Sequence, residues 1–206
     1  MSFITWVVTF LEKLFSKTIN VIILAGYNQR TIYKYFRRQG AKIGEGCCIS
    51  VKSIGTEPYL VSIGDNVWIS YDVIFHTHDG AVLPLKKKHE HLHVYGTITI
   101  EDNCLIGRSV QLLPNIHIGR NSVVGAGSVV ISDVPPDSIV MGVPARPVGS
   151  ISKYEERCLA AWKVQKPPEL DEITKKWRTK KSKQILRRHL TEVLVNRDRQ
   201  EHEKNP

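Results

Sequence analysis

Residues 98–134 read ITIEDN CLIGRS VQLLPN IHIGRN SVVGAG SVVISDV. Every sixth residue from Ile100 is a branched aliphatic: Ile100, Ile106, Leu112, Ile118, Val124 and Val130. Glycine follows three of them, at Gly107, Gly119 and Gly125. Four places after each stands a small or apolar residue: Cys104, Val110, Ile116, Ser122, Ser128 and Val134. A helix repeats near 3.6 and a flat strand near 2. A period of six therefore calls for a short strand, a corner and another short strand, the sequence mark of a parallel β-helix. An aliphatic in such a ladder is worth roughly 1.5–3 kcal/mol when buried. Glycine at the next position suits a corner where φ turns positive.

Outward from this stretch, the register extends back through Ile43-Gly44, Ile49-Ser50, Ile63-Gly64, Ile69 and Phe75. It slips around Gly55–Tyr59, which reads as a small loop. Residues 80–97, with Pro84, Lys86-Lys87-Lys88, His89, His91 and His93, leave the register altogether. They read as a loop thrown out from one corner, a feature that in compact domains is usually functional or disordered. Pro135-Pro136 is expected to stop the ladder after Val134, because proline removes a strand donor. Gly142-Val143-Pro144-Ala145-Arg146-Pro147-Val148 then closes the domain.

Three segments follow: a helical segment at 1–42, the coil at 43–150 and a basic helical tail at 151–206. In the first, residues 3–15 are amphipathic, with Phe3, Val7, Phe10, Leu11, Leu14 and Phe15 on one helical face. A basic cluster follows at Arg30, Lys34, Arg37 and Arg38. A helical cap over the end of the coil is the plainer reading. The sharper one is an interfacial helix, with residues 1–26 making peripheral contact with acidic lipid. In the tail, Lys153–Val164 and Glu172–Val195 read as helices separated by Pro167-Pro168.

The chain has 206 residues and a formal net charge of +9. The excess sits mainly in the tail, where 15 Lys/Arg face 9 Asp/Glu. Bases there are mixed with acids and Trp177 is the one aromatic for stacking in the second helix, so no nucleic acid is expected as a partner. The four cysteines include no CxxC pair, which favours a reducing compartment. Neither a spanning apolar stretch nor a signal-like start is present, so a cytoplasmic location follows.

The hexads, the projecting loop, Thr77-His78-Asp79-Gly80, Gly125-Ala126-Gly127-Ser128 and Gly142-Val143-Pro144-Ala145-Arg146 together resemble the hexapeptide-repeat acyltransferases. The match is to the sugar O-acetyltransferase branch, which includes the maltose, galactoside, capsule and O-antigen enzymes, and it covers about residues 43–150. The resemblance implies an all-β fold, a left-handed parallel β-helix with three hexads per coil, assembled as a homotrimer. It implies acetyl transfer from acetyl-CoA to a sugar hydroxyl in surface polysaccharide synthesis. An N-acetyltransferase acting on a nucleotide-linked amino sugar is the alternative, and a non-catalytic β-helix scaffold is the alternative of another class.

By the family motif, His78 matches the general base. A free imidazole has a pKa near 6.5, so it is partly neutral at pH 7 and can take the hydroxyl proton. His76 is the rival, because residues 76 and 78 of an extended strand point the same way. Asp79 is the adjacent candidate to hold the second imidazole nitrogen, and an acidic residue elsewhere could do the same. For acetyl-CoA, the resemblance assigns Gly125 and Ala126 to the pantetheine arm, places Arg108 at another corner of the same groove, and puts Arg146 on the nucleotide phosphates. A lysine common before Asp133 is here Ser132, so Arg120 or Arg146 substitutes. No metal is expected: the γ-class carbonic anhydrase ligand set is incomplete, with Leu113 and Ser122 at the positions beside His117, and Lys86–Lys88 adjoin the alternating histidines.

Overall fold

A computed structural model describes residues 24–168 and 179–195. The amphipathic stretch 3–15, nearly all of the proposed lipid-contacting region 1–26, and Trp177 lie outside the described residues. The described chain falls into two units, 1–151 and 152–206.

The first unit is a three-sided coil. One face stacks β1 (Lys42–Ile43), β3 (Val61–Ile63), β6 (Ile98–Ile100) and β9 (Ile116–Ile118). A second stacks β2 (Cys48–Ile49), β4 (Trp68–Ile69), β7 (Leu105–Ile106), β10 (Val123–Val124), β12 (Ser138–Met141) and β13 (Arg146–Ser150). The third stacks β5 (Ile74–Phe75), β8 (Gln111–Leu112) and β11 (Val129–Val130). Pairing is parallel except between β12 and β13. Ile98 pairs with Ile116 and Leu105 with Val123, so one coil takes 18 residues, or three hexads.

The hexad aliphatics form the core. Ile100, Ile106, Leu112, Ile118, Val124 and Val130 are each no more than 1% exposed. They stack on like residues: Ile63 on Ile100 on Ile118, Ile69 on Ile106 on Val124, and Phe75 on Leu112 on Val130. The residues four places on also point inward. Among them, Ser122 Oγ donates to Pro135 O at 2.9 Å and Ser128 Oγ donates to Gly125 O at 2.6 Å, so their burial leaves no hydroxyl unpaired. Burial pushes the Cys47 and Cys104 thiols up.

Two expectations are corrected. Positive φ falls not on Gly107, Gly119 or Gly125 but three residues after Ile100, Ile106, Leu112, Ile118 and Val124, at Asn103, Ser109, Asn115, Asn121 and Gly127. Asn reaches this region at modest cost. The glycines instead admit the next coil. A Cβ on Gly107 would stand 2.6 Å from Ala126 N and 2.8 Å from Val124 O. Nor do Pro135 and Pro136 end the coil. They lie at an edge, where Asp137 N bonds Arg120 O directly after them, and Val123 still pairs with Ile139 in parallel. Gly119 leaves the room they need, since its Cβ would stand 2.5 Å from Pro136 N.

At the other end, a short helix α1 (Tyr33–Arg38) buries Phe36 and the preceding Ile32. Arg37 ties it to the first coil, donating through Nε to Ile43 O at 2.7 Å and through Nη2 to Gly44 O at 3.0 Å. That guanidinium belongs to a helical cap rather than to a free basic cluster.

In the second unit, α2 (Ile151–Gln165) carries no fully buried residue. The expected second helix is interrupted: Thr179 is extended and caps α3 (Lys180–Leu190), its Oγ1 accepting from Ser182 N at 3.2 Å. Residues 172–178 of that expectation lie outside the described residues. No described helix is long and apolar enough to cross a membrane.

Crowding between coils makes the glycines separable by experiment. Gly107→Ala should lower stability by roughly 1–3 kcal/mol in denaturant unfolding. Gly149→Ala, whose Cβ meets nothing within 4 Å, should stay within about 0.5 kcal/mol. Equal losses at the two positions would contradict the close-approach explanation.

Candidate active site

The last coil is short, with Val123 and its partner Ile139 separated by 16 residues, and two coils exceed 18. From Lys42 to its partner Ser62 the separation is 20, and from Val61 to its partner Ile98 it is 37. The first excess falls around Gly55–Leu60 and the second between Phe75 and Ile98. Both lie on the edge where the third face turns into the first, so they stack. A glycine is required there: Gly55 has φ +93°, and its Cβ would stand 2.7 Å from Thr77 Oγ1.

The stacked departures bring Glu57 beneath His78. The Thr77 and Thr56 hydroxyls donate to Glu57 Oε2 at 2.5 and 2.8 Å. His78 Nδ1 lies 3.1 Å from the same oxygen and 3.2 Å from Thr56 Oγ1. Three donors on one oxygen favour the charged form. The Thr77 hydroxyl foremost, with His78 and Thr56, holds the Glu57 carboxyl below the usual carboxylate range, against a smaller opposing effect of burial. An ionised carboxylate only accepts. The proton between the two groups is therefore assigned to Nδ1, which leaves Nε2 as an acceptor. The His78 side chain is 49% exposed against 16% for Glu57, so the carboxylate is enclosed while the imidazole reaches solvent.

The projecting loop closes at its base onto this pair. His78 and Tyr95 form an antiparallel bridge, with Asp79 N bonding Val94 O at 2.8 Å and Gly96 N bonding Thr77 O at 3.0 Å. A 3₁₀ helix at Gly80–Lys87 opens the loop. Beside it lies a cleft of about 430 Å³, whose lining includes His76, His78, Val94, Gln111, Leu113 and Ile131.

Asp79 does not hold the imidazole: its Oδ1 accepts from Ala81 N at 2.8 Å and caps the 3₁₀ helix. His76 Nε2 lies 3.2 Å from Gln111 Oε1, across the third face. The residue missed by sequence reading is Glu57. Its signal was the slip at Gly55–Tyr59, one coil before the projecting loop and therefore on the same edge.

The residues expected to meet the cofactor are not all gathered. Arg108, Gly125 and Ala126 stack on the edge between the second and third faces, where Gly127 N bonds Arg108 O at 2.8 Å. Arg108 is paired with Asp72 at 2.9 Å. Arg146 follows near the top of that edge, since Ala145 N bonds Val129 O at 2.8 Å and Arg146 pairs in register with Met141. Arg120 stands elsewhere, on the edge between the first and second faces, where its backbone N–H donates to Glu101 Oε2 at 2.8 Å. Within one protomer the width of the third face separates His78 from Arg108 and Ala126. Among the described residues, no three His, Cys, Asp or Glu side chains gather as a metal site would require.

Comparison with known proteins agrees with the coil. Residues 97–132 match the family described as bacterial transferase hexapeptide (six repeats). The chain is 41% identical over 126 residues to Protein CapG of Staphylococcus aureus, covering 60% of this chain and 73% of CapG. It is 38% identical over 100 residues to the galactoside O-acetyltransferase of Escherichia coli K12, covering 48% of this chain and 49% of that enzyme, so the likeness spans about half of each. A crystal structure of a hexapeptide-repeat-containing acetyltransferase of Vibrio cholerae superposes with a TM-score of 0.54 at 26% identity, over 66% of this chain and 88% of that one. The repeat, the coil it builds and the extent of the match to CapG agree: this chain belongs to the hexapeptide-repeat acyltransferases.

Proposed function

We propose that this protein transfers the acetyl group of acetyl-CoA to a sugar hydroxyl, in the synthesis of a capsule or O-antigen polysaccharide, from the cytoplasmic side. The observation that carries the reading is the His78–Glu57 pair standing in a solvent-reached cleft on a coil of this family. The E. coli relative, named a galactoside O-acetyltransferase, supports the acceptor class.

In the proposed reaction, Nε2 of His78 takes the proton of the sugar hydroxyl as its oxygen attacks the thioester carbonyl. The C–S bond then breaks, and the coenzyme thiolate recovers that proton from the imidazolium. Glu57 keeps Nδ1 protonated throughout and stabilises the transient positive charge. Positioned base catalysis of this kind is worth roughly 10²–10⁴ in rate.

The winding is left-handed and the assembly a homotrimer in this reading. Support for assembly comes from two features. Arg108, Gly125, Ala126 and Arg146 share one edge while His78 occupies the next, so a cofactor lying along the first would meet the base of a neighbouring copy. The second face also shows an in-register outward row, Cys48, Trp68, Leu105, Val123 and Ile139, in which Trp68 is 52% exposed. An apolar row of that length suits burial against another chain.

His78→Ala should abolish nearly all thiol release from acetyl-CoA with a panel of sugars and leave unfolding unchanged, while His76→Ala should retain activity. The reverse pattern would reassign the base. Mild alkali should strip the product acetyl, as expected of an ester; survival of the group would indicate an amide.

A second expectation concerns pH. A depressed carboxyl contributes stability that is present above its unfolded pKa, about 4.3, and lost as pH falls through the lower folded value. The stability difference between the native protein and Glu57→Gln should therefore be level above about pH 5 and shrink progressively below about pH 4. In activity, Glu57→Gln should lower kcat by roughly 10²-fold or more with little change in KM for acetyl-CoA. Unaltered kcat would remove Glu57 from the mechanism.

A further inference from the structure

The projecting loop holds a charged surface that the acetyl-transfer step does not use. Lys86, Lys87 and Lys88 end and follow its 3₁₀ helix, and His89, His91 and His93 come next. Glu90 is the only carboxylate among residues 80–97. Among the described residues, none of the three ammonium groups forms an ion pair. Lys87 and Lys88 are exposed and Lys86 is half-buried. Such a row normally repels itself, and nothing in the described chain neutralises it.

Its position is fixed relative to the base. The loop leaves and re-enters the coil at the His78–Tyr95 bridge, and Gly80, the first residue of the helix, lines the cleft that also holds His78. A 3₁₀ helix rises about 2 Å per residue, so Lys86 stands roughly 12 Å along the axis from Gly80. The three lysines stand outside the cleft lining, at a distance that one extended lysine side chain and one sugar ring together would bridge. Within the cleft, Gln111, Asn115 and His76 offer hydrogen-bonding groups, Val94, Leu113 and Ile131 offer an apolar wall, and the one carboxylate, Asp79, is engaged by Ala81 N–H, so the anion is placed beyond the cleft, toward the lysines. Those features suit the ring of a sugar, and the lysines suit a negative charge attached beyond it.

We infer that the acceptor is an anionic sugar, carrying a phosphate or carboxylate about one ring away from the reacting hydroxyl, and that Lys86–Lys88 recognise that charge. This inference rests on the acetyltransferase reading above and names the class of its acceptor. Recognition is electrostatic and water-exposed, so it weakens as salt shortens the Debye length, about 8 Å near 0.15 M.

The test compares each free sugar with its 1-phosphate and its uronic acid, in the gluco and galacto series. Binding is measured by calorimetry, and KM and kcat by thiol release from acetyl-CoA. Both are run on the native protein and on Lys86→Gln/Lys87→Gln/Lys88→Gln, at low and high salt. The native protein should bind at least one charged sugar about tenfold or more tighter than its neutral parent. The triple variant should lose that preference, and its salt dependence, with kcat and KM for acetyl-CoA unchanged. The phosphate and uronate arms tell which anion is read. Equal or absent binding of charged and neutral sugars would overturn the inference, as would a rise in KM for acetyl-CoA alone, which would assign the lysines to the phosphates of the cofactor. Calorimetry needs no turnover, so charge-selective binding without acetyl transfer would sink the enzymatic reading, and with it the role of acceptor, while leaving the recognition of the anion by the lysines.

Discussion

The fold depends on one constraint: each inward aliphatic must lie directly above its counterpart a coil away. Ile63, Ile100 and Ile118 on one face, Ile69, Ile106 and Val124 on the next, and Phe75, Leu112 and Val130 on the third satisfy it. Among the described residues the buried apolar side chains form one cluster, so a misplaced residue has no second core to compensate it. Between coils the backbones approach closely enough that Gly107 and Gly119 have no room for a Cβ. Strand pairing and side-chain stacking therefore enforce the same register from coil to coil, whatever length of chain the edges take up.

Because the faces are paired on both sides, extra residues can leave the coil only at an edge. Both departures use the same edge, one coil apart, and this stacking creates the site. The shorter one, turned by Gly55, delivers Glu57 beneath His78; the longer one closes on the His78–Tyr95 bridge and raises its loop beside the cleft. Rigid paired strands hold the two ends of each departure, so the His78–Glu57 pair is positioned by the coil itself. Arg108 and Ala126 obey the same logic on a different edge, which is why one copy separates them from His78.

The hexad period made the coil legible before any coordinates. So were the projecting loop and His78, because a break in a strict repeat is conspicuous and a family motif starts at it. Glu57 was not legible, since its closeness to His78 depends on how two interruptions 21 residues apart superpose, a property of stacking rather than of local pattern. Adjacency pointed instead to Asp79, whose carboxylate was already committed to Ala81 N–H. The glycines and prolines misled for a related reason. Their local preferences suggested a positive φ and a strand stop, whereas the neighbouring coil decided both. At Pro135 and Pro136 the chain is turning an edge, so the lost donor costs no ladder bond.

A mixing experiment tests most directly whether His78 of one copy works with the Ala126 edge of another. Two inactive variants, His78→Ala and Ala126→Trp, are co-expressed and the assembled protein is purified as one pool, with uniform and mixed assemblies together. If the site is shared, random assembly should restore about a quarter of native activity, because a sound base then meets a sound edge in that share of interfaces. Activity no greater than that of the separate variants would contradict the shared site and place the whole reaction within a single coil.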